Sequence, residues 1–253
     1  DRVLKHNLIE KGEAAKKAGK IRYFGFSFHD DLTTFKEIVD HYDKWDFCQI
    51  QYNYMDIKNQ AGMEGLKYAA SKGLAVIIME PLLGGRLANP PKEVLDILEA
   101  SDRKGSPADW ALQWLWNQPE VSVVLSGMST MQQVKENIES ANRSGIGTLS
   151  EEDLKTIAKV RACFEGRATI PCTKCRYCMP CPNNVDIPGN FELYNETVIY
   201  DDIQTPRNSY KHFFDEDTKA NLCIGCRVCE EKCPQHITIS EWMPKVHAAL
   251  AGE

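Results

Sequence analysis

At 253 residues the chain has room for one large domain or two smaller ones, each with its own core. Its composition is 43% hydrophobic and 26% charged, with no apolar run near membrane-spanning length, which argues against a membrane protein. The net charge of −6 and the lack of a Lys/Arg-rich stripe argue against nucleic acid as a partner.

Residues 1 to 18 read as a helix with Leu4, Leu8, Ala15 and Ala18 on one face, closed by Gly19. The aromatic run Ile21 to Ser27 reads as a strand, and Asp30 or Asp31 caps a helix whose inner face is Phe35, Ile38 and Val39. Asp46 to Gln51 is a second strand, followed by a helix burying Leu66, Ala69 and Ala70 and ended by Gly73. Leu74 to Met79 is a nearly continuous apolar strand of the kind buried on both faces.

The loop Glu80 to Arg86 leads to a helix carrying Val94, Ile97 and Leu98. Ser106-Pro107 opens another in cap-then-proline order, with Trp110, Ala111, Trp114 and Leu115 inward. Val121 to Leu125 is a fourth strand, and the helix after Ser126-Gly127 turns Val134, Ile138 and Ala141 to one side. Ser150 with Asp153 resembles a capping box opening a helix through Phe164. Four strand-helix units predict an α/β fold with a parallel sheet. Such a sheet is either small and open or half of an eight-stranded barrel, which takes ~250 residues; periodicity does not choose between them.

Eight of the ten cysteines crowd into the last third, which predicts a boundary near residue 165 and domains over 1–165 and 166–253. Cys172, Cys175, Cys178 and Cys181 are spaced two residues apart and precede Pro182. Cys223, Cys226, Cys229 and Cys233 carry two, two and three intervening residues and precede Pro234. The second run is the bacterial ferredoxin spacing, in which three cysteines hold one 4Fe-4S cluster and the fourth reaches the neighbouring cluster. The first run is the same device one spacer residue short.

This spacing assigns Cys172, Cys175, Cys178 and Cys233 to one cluster and Cys223, Cys226, Cys229 and Cys181 to the other. Zinc and disulfides are the competing readings. Runs that each end in Cys-Pro are not spaced as zinc ribbons are, and the N-terminus does not read as a signal peptide, so a cytoplasmic setting is expected. The 41 residues between the runs, Pro182 to Leu222, are apolar enough through Phe191, Leu193, Tyr194, Ile199 and Tyr200 to fold and pack. Lys211, His212, Asp215, Glu216 and Asp217 read as their solvated face, and Ser240 to Leu250 as a closing helix.

In α/β folds ligands sit beyond the carboxyl ends of the strands. Here those ends hold Ser27, Phe28, His29, Gln49, Gln51, Asn53, Met79, Glu80, Ser126, Gly127 and Met128, a binding surface more than a proton-transfer centre. Gly84-Gly85 allows close approach of a backbone to a phosphate or is simply a turn, and the helix starting near Thr130 offers N–H groups to an anion. His29 reads as a loop or capping residue, and Cys48 and Cys163 as small core residues.

Four stretches resemble the second half of an aldo-keto reductase barrel: Gly19 to Ser27, Cys48 to Asn53, Pro81-Leu82 with Gly84-Gly85, and Gly127 through Asn137. With the cysteine-rich tail, the chain is similar to aldo-keto reductases that carry a C-terminal two-cluster ferredoxin domain. The resemblance implies the C-terminal half of a (β/α)8 barrel, four parallel strands with helices, followed by a mostly α iron-sulfur domain. It implies that Ser27 and Gln49 hold a nicotinamide carboxamide and that Leu82, Gly84 and Gly85 lie over the pyrophosphate. Gly127, Glu136 and Asn137 then receive the adenosine end.

Several positions depart from that family. Phe28 stands where Asn is usual, Met79 where an aromatic commonly stacks, and Gly127 and Gln133 where Lys and Arg often pin the extra phosphate of NADP. No catalytic residue is assigned, because the family's catalytic Asp, Tyr, Lys and His belong to the first half of the barrel. The expectation is a fragment of a longer protein or a chain that associates through its open half barrel.

Clusters carry single electrons whereas nicotinamide carries a hydride, so their coupling is eased by a flavin. The expected function is an oxidoreductase that couples an NAD(P) or flavin site at the barrel mouth to two 4Fe-4S clusters. Its partners would be a small-molecule substrate and an electron donor or acceptor protein. The alternative is a non-enzymatic electron-transfer subunit whose barrel portion is a docking scaffold.

Overall fold

The computed structural model describes residues 2–252, apart from the side chains at positions 2 and 4, so the inward placement expected of Leu4 lies outside the described residues. They form two compact units: one runs to Asn89 and resumes over Leu98–Ile157, and the other takes Pro90–Ile97 and the chain from Ala158 onward.

The first unit opens on α1 (Arg2–Lys5) and α2 (Leu8–Lys17), not on one helix. Asn7 separates them in the left-handed region at φ 50°, a conformation its short amide side chain tolerates. Leu8, expected on the inner face, is exposed. Next come β1 (Gly25–Ser27), α3 (Leu32–His41), β2 (Phe47–Gln51), α4 (Gly62–Ser71) and β3 (Ala75–Met79). The next helix, α5 (Lys92–Glu99), lies mostly in the second unit; then come α6 (Pro107–Trp116), β4 (Val121–Val124) and α7 (Met131–Asn142), while α8 (Glu151–Gly166) passes into the second unit at Ala158.

β1 is shorter than the Ile21–Ser27 run predicts. Its pairing with β2 begins at Gly25 opposite Phe47, and just before it the Asp46 carboxylate accepts from Phe24 N at 2.7 Å and from Lys16 Nζ at 2.6 Å. Those bonds hold the carboxyl of Asp46 below the usual carboxylate range, chiefly through the Lys16 contact. Asp31, not Asp30, caps α3, accepting from Thr34 N at 2.8 Å. Ser106 caps α6 ahead of Pro107, and the Ser150–Asp153 box closes in both directions at 2.9 and 3.1 Å.

The four strands are all parallel and neighbour one another in chain order, β1-β2-β3-β4. Cys48, Ile50, Val76 and Ile78 point to one face, buried under Phe35 and Val39 of α3, Leu66 and Ala69 of α4, and Leu115 of α6. The opposite face carries Gln49, Gln51, Ile77 and Met79, which are only half-buried, so β3 is not buried on both sides. Burial pushes the Cys48 thiol up to about 12, as fits a small core residue.

α7 departs from its expected packing. Ile138 is 53% exposed and Ala141 is exposed, while Ser140 is buried. The helix docks on α6 through polar groups: Gln113 Nε2 donates to Ser140 O at 2.7 Å, and Asp109 accepts from Ser140 Oγ and from Arg143 at 2.8 Å.

The second unit adds α9 (Ile187–Ile199), α10 (Gln204–His212), α11 (Val228–Glu231) and α12 (Ile239–Ala251). α9, α10 and α12 pack around Ile187, Phe191, Tyr210, Met243, Val246 and Leu250. α9 and α10 come from the stretch between the cysteine runs, whose Lys211, His212, Asp215, Glu216 and Asp217 are exposed. Among the described residues no helix is long and apolar enough to cross a membrane.

Candidate metal centre

The chain enters the first cysteine run through Ile170, whose N–H donates to Asn195 Oδ1 at 2.9 Å and whose carbonyl accepts from Asn195 Nδ2 at 2.7 Å. This double bond to α9 fixes where the run begins. Within it, Lys174 and Arg176 are left-handed, at φ 56° and 61°. Gly225 and Arg227 hold the same two positions after Cys223 and are also left-handed, at φ 70° and 62°. The runs therefore share a backbone course although their side chains differ. Alternating left-handed residues curl the N–H groups inward into the kind of concavity that holds anions and iron-sulfur sulfurs.

The second unit contains two cavities whose linings exchange cysteines between the runs. Cys172, Cys175, Cys178 and Cys233 line one of them. Cys181, Cys223, Cys226 and Cys229 line the other. Each receives three thiols from one run and the fourth from the other. Ile187 at the start of α9 and Ile239 at the start of α12 border both cavities and form an apolar wall common to them. Cys181 joins the second cavity despite the shortened spacer before it.

All ten cysteines are free thiols. Burial raises Cys172 and Cys178 above the ordinary thiol range and lifts Cys229 to about 11. A metal bound beside such thiols favours their thiolate form. The four thiols of each set share one cavity lining, and among the described residues no group of three or more His, Cys, Asp or Glu side chains is placed to hold a single metal ion. Sets of four sulfur donors are the ligand chemistry of iron-sulfur groups.

The first unit has a cleft of about 740 Å³ beyond the carboxyl ends of β3 and β4. Leu82, Gly84, Gly85, Gly127, Glu136 and Asn137, six of the eight residues expected to bind a cofactor, line it together. Ser27 at the end of β1 and Gln49 within β2 are outside its lining but paired in register, and Gln49 Nε2 lies 3.6 Å from Sδ of Met79, which does line the cleft. The size is that of a small-molecule or cofactor site.

Two expectations for this cleft change. The N–H groups of Leu83, Gly84, Gly85, Arg86 and Leu87 all bond inside their own loop, Gly84 N donating to Glu80 Oε2 at 2.6 Å. Gly84 and Gly85, at φ 64° and 92°, serve the turn, and the loop presents its surface to a ligand, not its amides. At the start of α7, Thr130 and Gln133 form a capping box, a Thr-x-x-Gln spacing present in the sequence but not singled out there. Gln133 Oε1 accepts from Ser129 N at 2.8 Å and Thr130 N at 3.2 Å, and Thr130 Oγ1 accepts from Gln133 N. Those three N–H groups are therefore engaged and do not await an anion.

The sequence reading placed Glu80 and Asn53 at the strand ends but gave neither a role. Glu80 stands left-handed at φ 54° on the cleft wall. Asn53 is fully buried, accepts from Met55 N and Asp56 N at 2.9 Å, and donates to Glu80 O at 3.0 Å, so it ties the end of β2 to the end of β3. Glu80 carried no signal beyond its place after β3. Asn53 carried the turn-forming tendency of its residue type. His29 is an exposed loop residue.

Two family profiles match the chain in succession: "Aldo/keto reductase family" over residues 7–162 and "4Fe-4S dicluster domain" over residues 171–238. No curated protein matches it. Among solved structures it is similar to the holo form of an aldo-keto reductase from Bacillus halodurans, with 24% identity over 58% of this chain and 53% of that one, at a TM-score of 0.48. An aldo-keto reductase from Klebsiella pneumoniae in complex with NADPH shows 20% identity over 60% of this chain and 52% of that one, at a TM-score of 0.47. The chain thus spans about half the length of these solved proteins. Since the first profile takes in most of the sequence and the second follows it directly, this chain belongs to the aldo/keto reductase family and bears a 4Fe-4S dicluster domain behind its α/β part.

Proposed function

We propose that the chain is the cofactor-facing half of an aldo-keto-reductase-type oxidoreductase whose redox chemistry is coupled to two 4Fe-4S clusters. The observation that carries this reading is the exchange of cysteines between runs. Cys172, Cys175, Cys178 and Cys233 would hold one cluster, and Cys223, Cys226, Cys229 and Cys181 the other. When bound, such clusters take up and release single electrons. The protein's part is to keep each set of thiols around an apolar hollow and to separate the sets by Ile187 and Ile239.

The sheet is read as half of a (β/α)8 barrel. Strands in chain order with helices over one face are the barrel's winding, whereas doubly wound sheets reverse their order and carry helices on both faces. On that reading the half-buried face of Gln49, Gln51, Ile77 and Met79 turns to the barrel interior. Ser27 and Gln49 would orient a nicotinamide by its carboxamide. Gly127, Glu136 and Asn137 would receive the adenosine, with Asn137 held in place by its 3.0 Å bond to Ser126 Oγ. A flavin in the same cleft would serve to split electron pairs. The substrate is a small molecule, and the clusters serve a donor or acceptor protein.

Anaerobic reconstitution with iron and sulfide tests the metal assignment. The expected result is about eight irons and eight sulfides per chain, falling by about half in Cys181→Ser and again in Cys233→Ser. Because the two cysteines serve the cluster opposite their own run, Cys181→Ser should spare the cluster held by Cys172, Cys175 and Cys178. Zinc in oxygen-free material, or an unchanged iron content in both variants, would remove the assignment.

A further inference from the structure

Between their first three cysteines the two runs set Thr173, Lys174, Arg176 and Tyr177 against Ile224, Gly225, Arg227 and Val228. Only the arginine is the same in both. It stands left-handed each time, at φ 61° and 62°, in the region that favours glycine. The loop accepts glycine at its other left-handed position, where Gly225 answers Lys174. An arginine held twice in a conformation better suited to glycine points to its side chain as the reason. Arg176 lines the cavity of the Cys233 set and Arg227 that of the Cys181 set. Thiols aside, each is the single charged side chain in its lining among the described residues.

We infer that Arg176 and Arg227 are charge-compensating residues for the two iron-sulfur sites, each holding up the reduction potential of the cluster in its own cavity. This rests on the reading of the cysteine sets as 4Fe-4S sites. Reduction adds one electron from a one-electron donor to a group already negative through its thiolates; no bond forms or breaks and no proton moves. Beside otherwise uncharged walls, a fixed cation stabilises the reduced form. The two cavities share Ile187 and Ile239, so charge added at one site also opposes reduction at the other. The sites differ in one respect. Asp186 Oδ1, buried without a hydrogen bond, lies 3.3 Å from Arg176 Nη2 and offsets part of its charge. Arg227 has no ion pair among the described residues, and the nearby Glu230 accepts instead from Ser240 N at 2.7 Å and Ser240 Oγ at 2.6 Å.

The test is a mediated redox titration of the full reconstituted chain, read by electron paramagnetic resonance of the reduced clusters alongside iron content. Arg176→Gln and Arg227→Gln should keep their iron and each make a different cluster harder to reduce. The expected loss is at least threefold in the reduction equilibrium, about 28 mV at ~59 mV per tenfold for a one-electron couple. Arg176→Lys and Arg227→Lys should recover most of it. Asp186→Asn, which removes the opposing charge, should move the potential of the first cluster upward and leave the second where it was. Full iron content with unmoved potentials in both glutamine variants overturns the inference and leaves the clusters standing. Where a glutamine variant loses iron, Asp186→Asn decides, and a first-cluster potential that does not rise overturns the inference. A wild-type chain that takes up no iron overturns the inference together with the cluster reading.

Discussion

Gly25 sits where β1 lies directly against Phe47 of β2. A Cβ at this position would lie 2.2 Å from the Phe47 carbonyl oxygen and 2.7 Å from its ring, and backbone does not yield as a flexible side chain does. Gly25→Ala should lower stability by about 2–3 kcal/mol, read as a lower urea midpoint. An unchanged midpoint would mean that β1 and β2 do not sit this close. The cysteine spacings were legible at this scale because thiol, proline and spacer length are all in the letters. The left-handed turns at Asn7 and Glu80 were not, because what each does depends on the backbone angle it adopts.

Among the elements, the α6–α7 pair shows how a helix can be found correctly and its face missed. Val134, Ile138 and Ala141 make a plausible apolar stripe, yet the docking surface is built on buried Asp109, which gathers Arg103 at 3.2 Å, Arg143 at 2.8 Å and the Ser140 hydroxyl. Asp109→Ala leaves two guanidinium groups and a hydroxyl without their acceptor. Arg143 is 58% exposed and returns to water, which discounts the loss, so about 2–3 kcal/mol is expected by denaturant unfolding. A loss under ~0.5 kcal/mol would show that α7 is held by other contacts. Caps built from neighbouring residues, such as Ser106 with Pro107 and Ser150 with Asp153, were readable because both partners lie within one turn. The Asp109 set joins residues 31 and 34 positions apart, and no local rule links them.

At the scale of the whole molecule, the two units differ in what their cores require. The core of the first unit is closed by Phe35, Ile50, Leu66, Val76 and Leu115. That of the second unit includes buried Cys229, with Cys172, Cys178, Cys181, Cys223 and Cys233 packed against it. If those thiols hold metal, binding energy is folding energy for the second unit only. Chelating the iron anaerobically should therefore reduce helical circular dichroism and redshift the emission of Trp242. Trp45, Trp110, Trp114 and Trp116, all in the first unit, should keep theirs; a variant with Trp242→Phe separates the signals. Retention of all helical signal without iron would show that the second core stands without its metal.

The sequence by itself determined the number and type of most elements in the first unit, the parallel sheet they imply, and the two runs of cysteines, because periodicity, caps and spacing act within a few residues. Tertiary structure alone decided which face of the sheet is covered, that α7 docks by polar groups, and that two carboxylates line the cleft. Each of those outcomes depends on groups brought together from distant parts of the chain, and their charge and burial exist only once the chain has closed on itself.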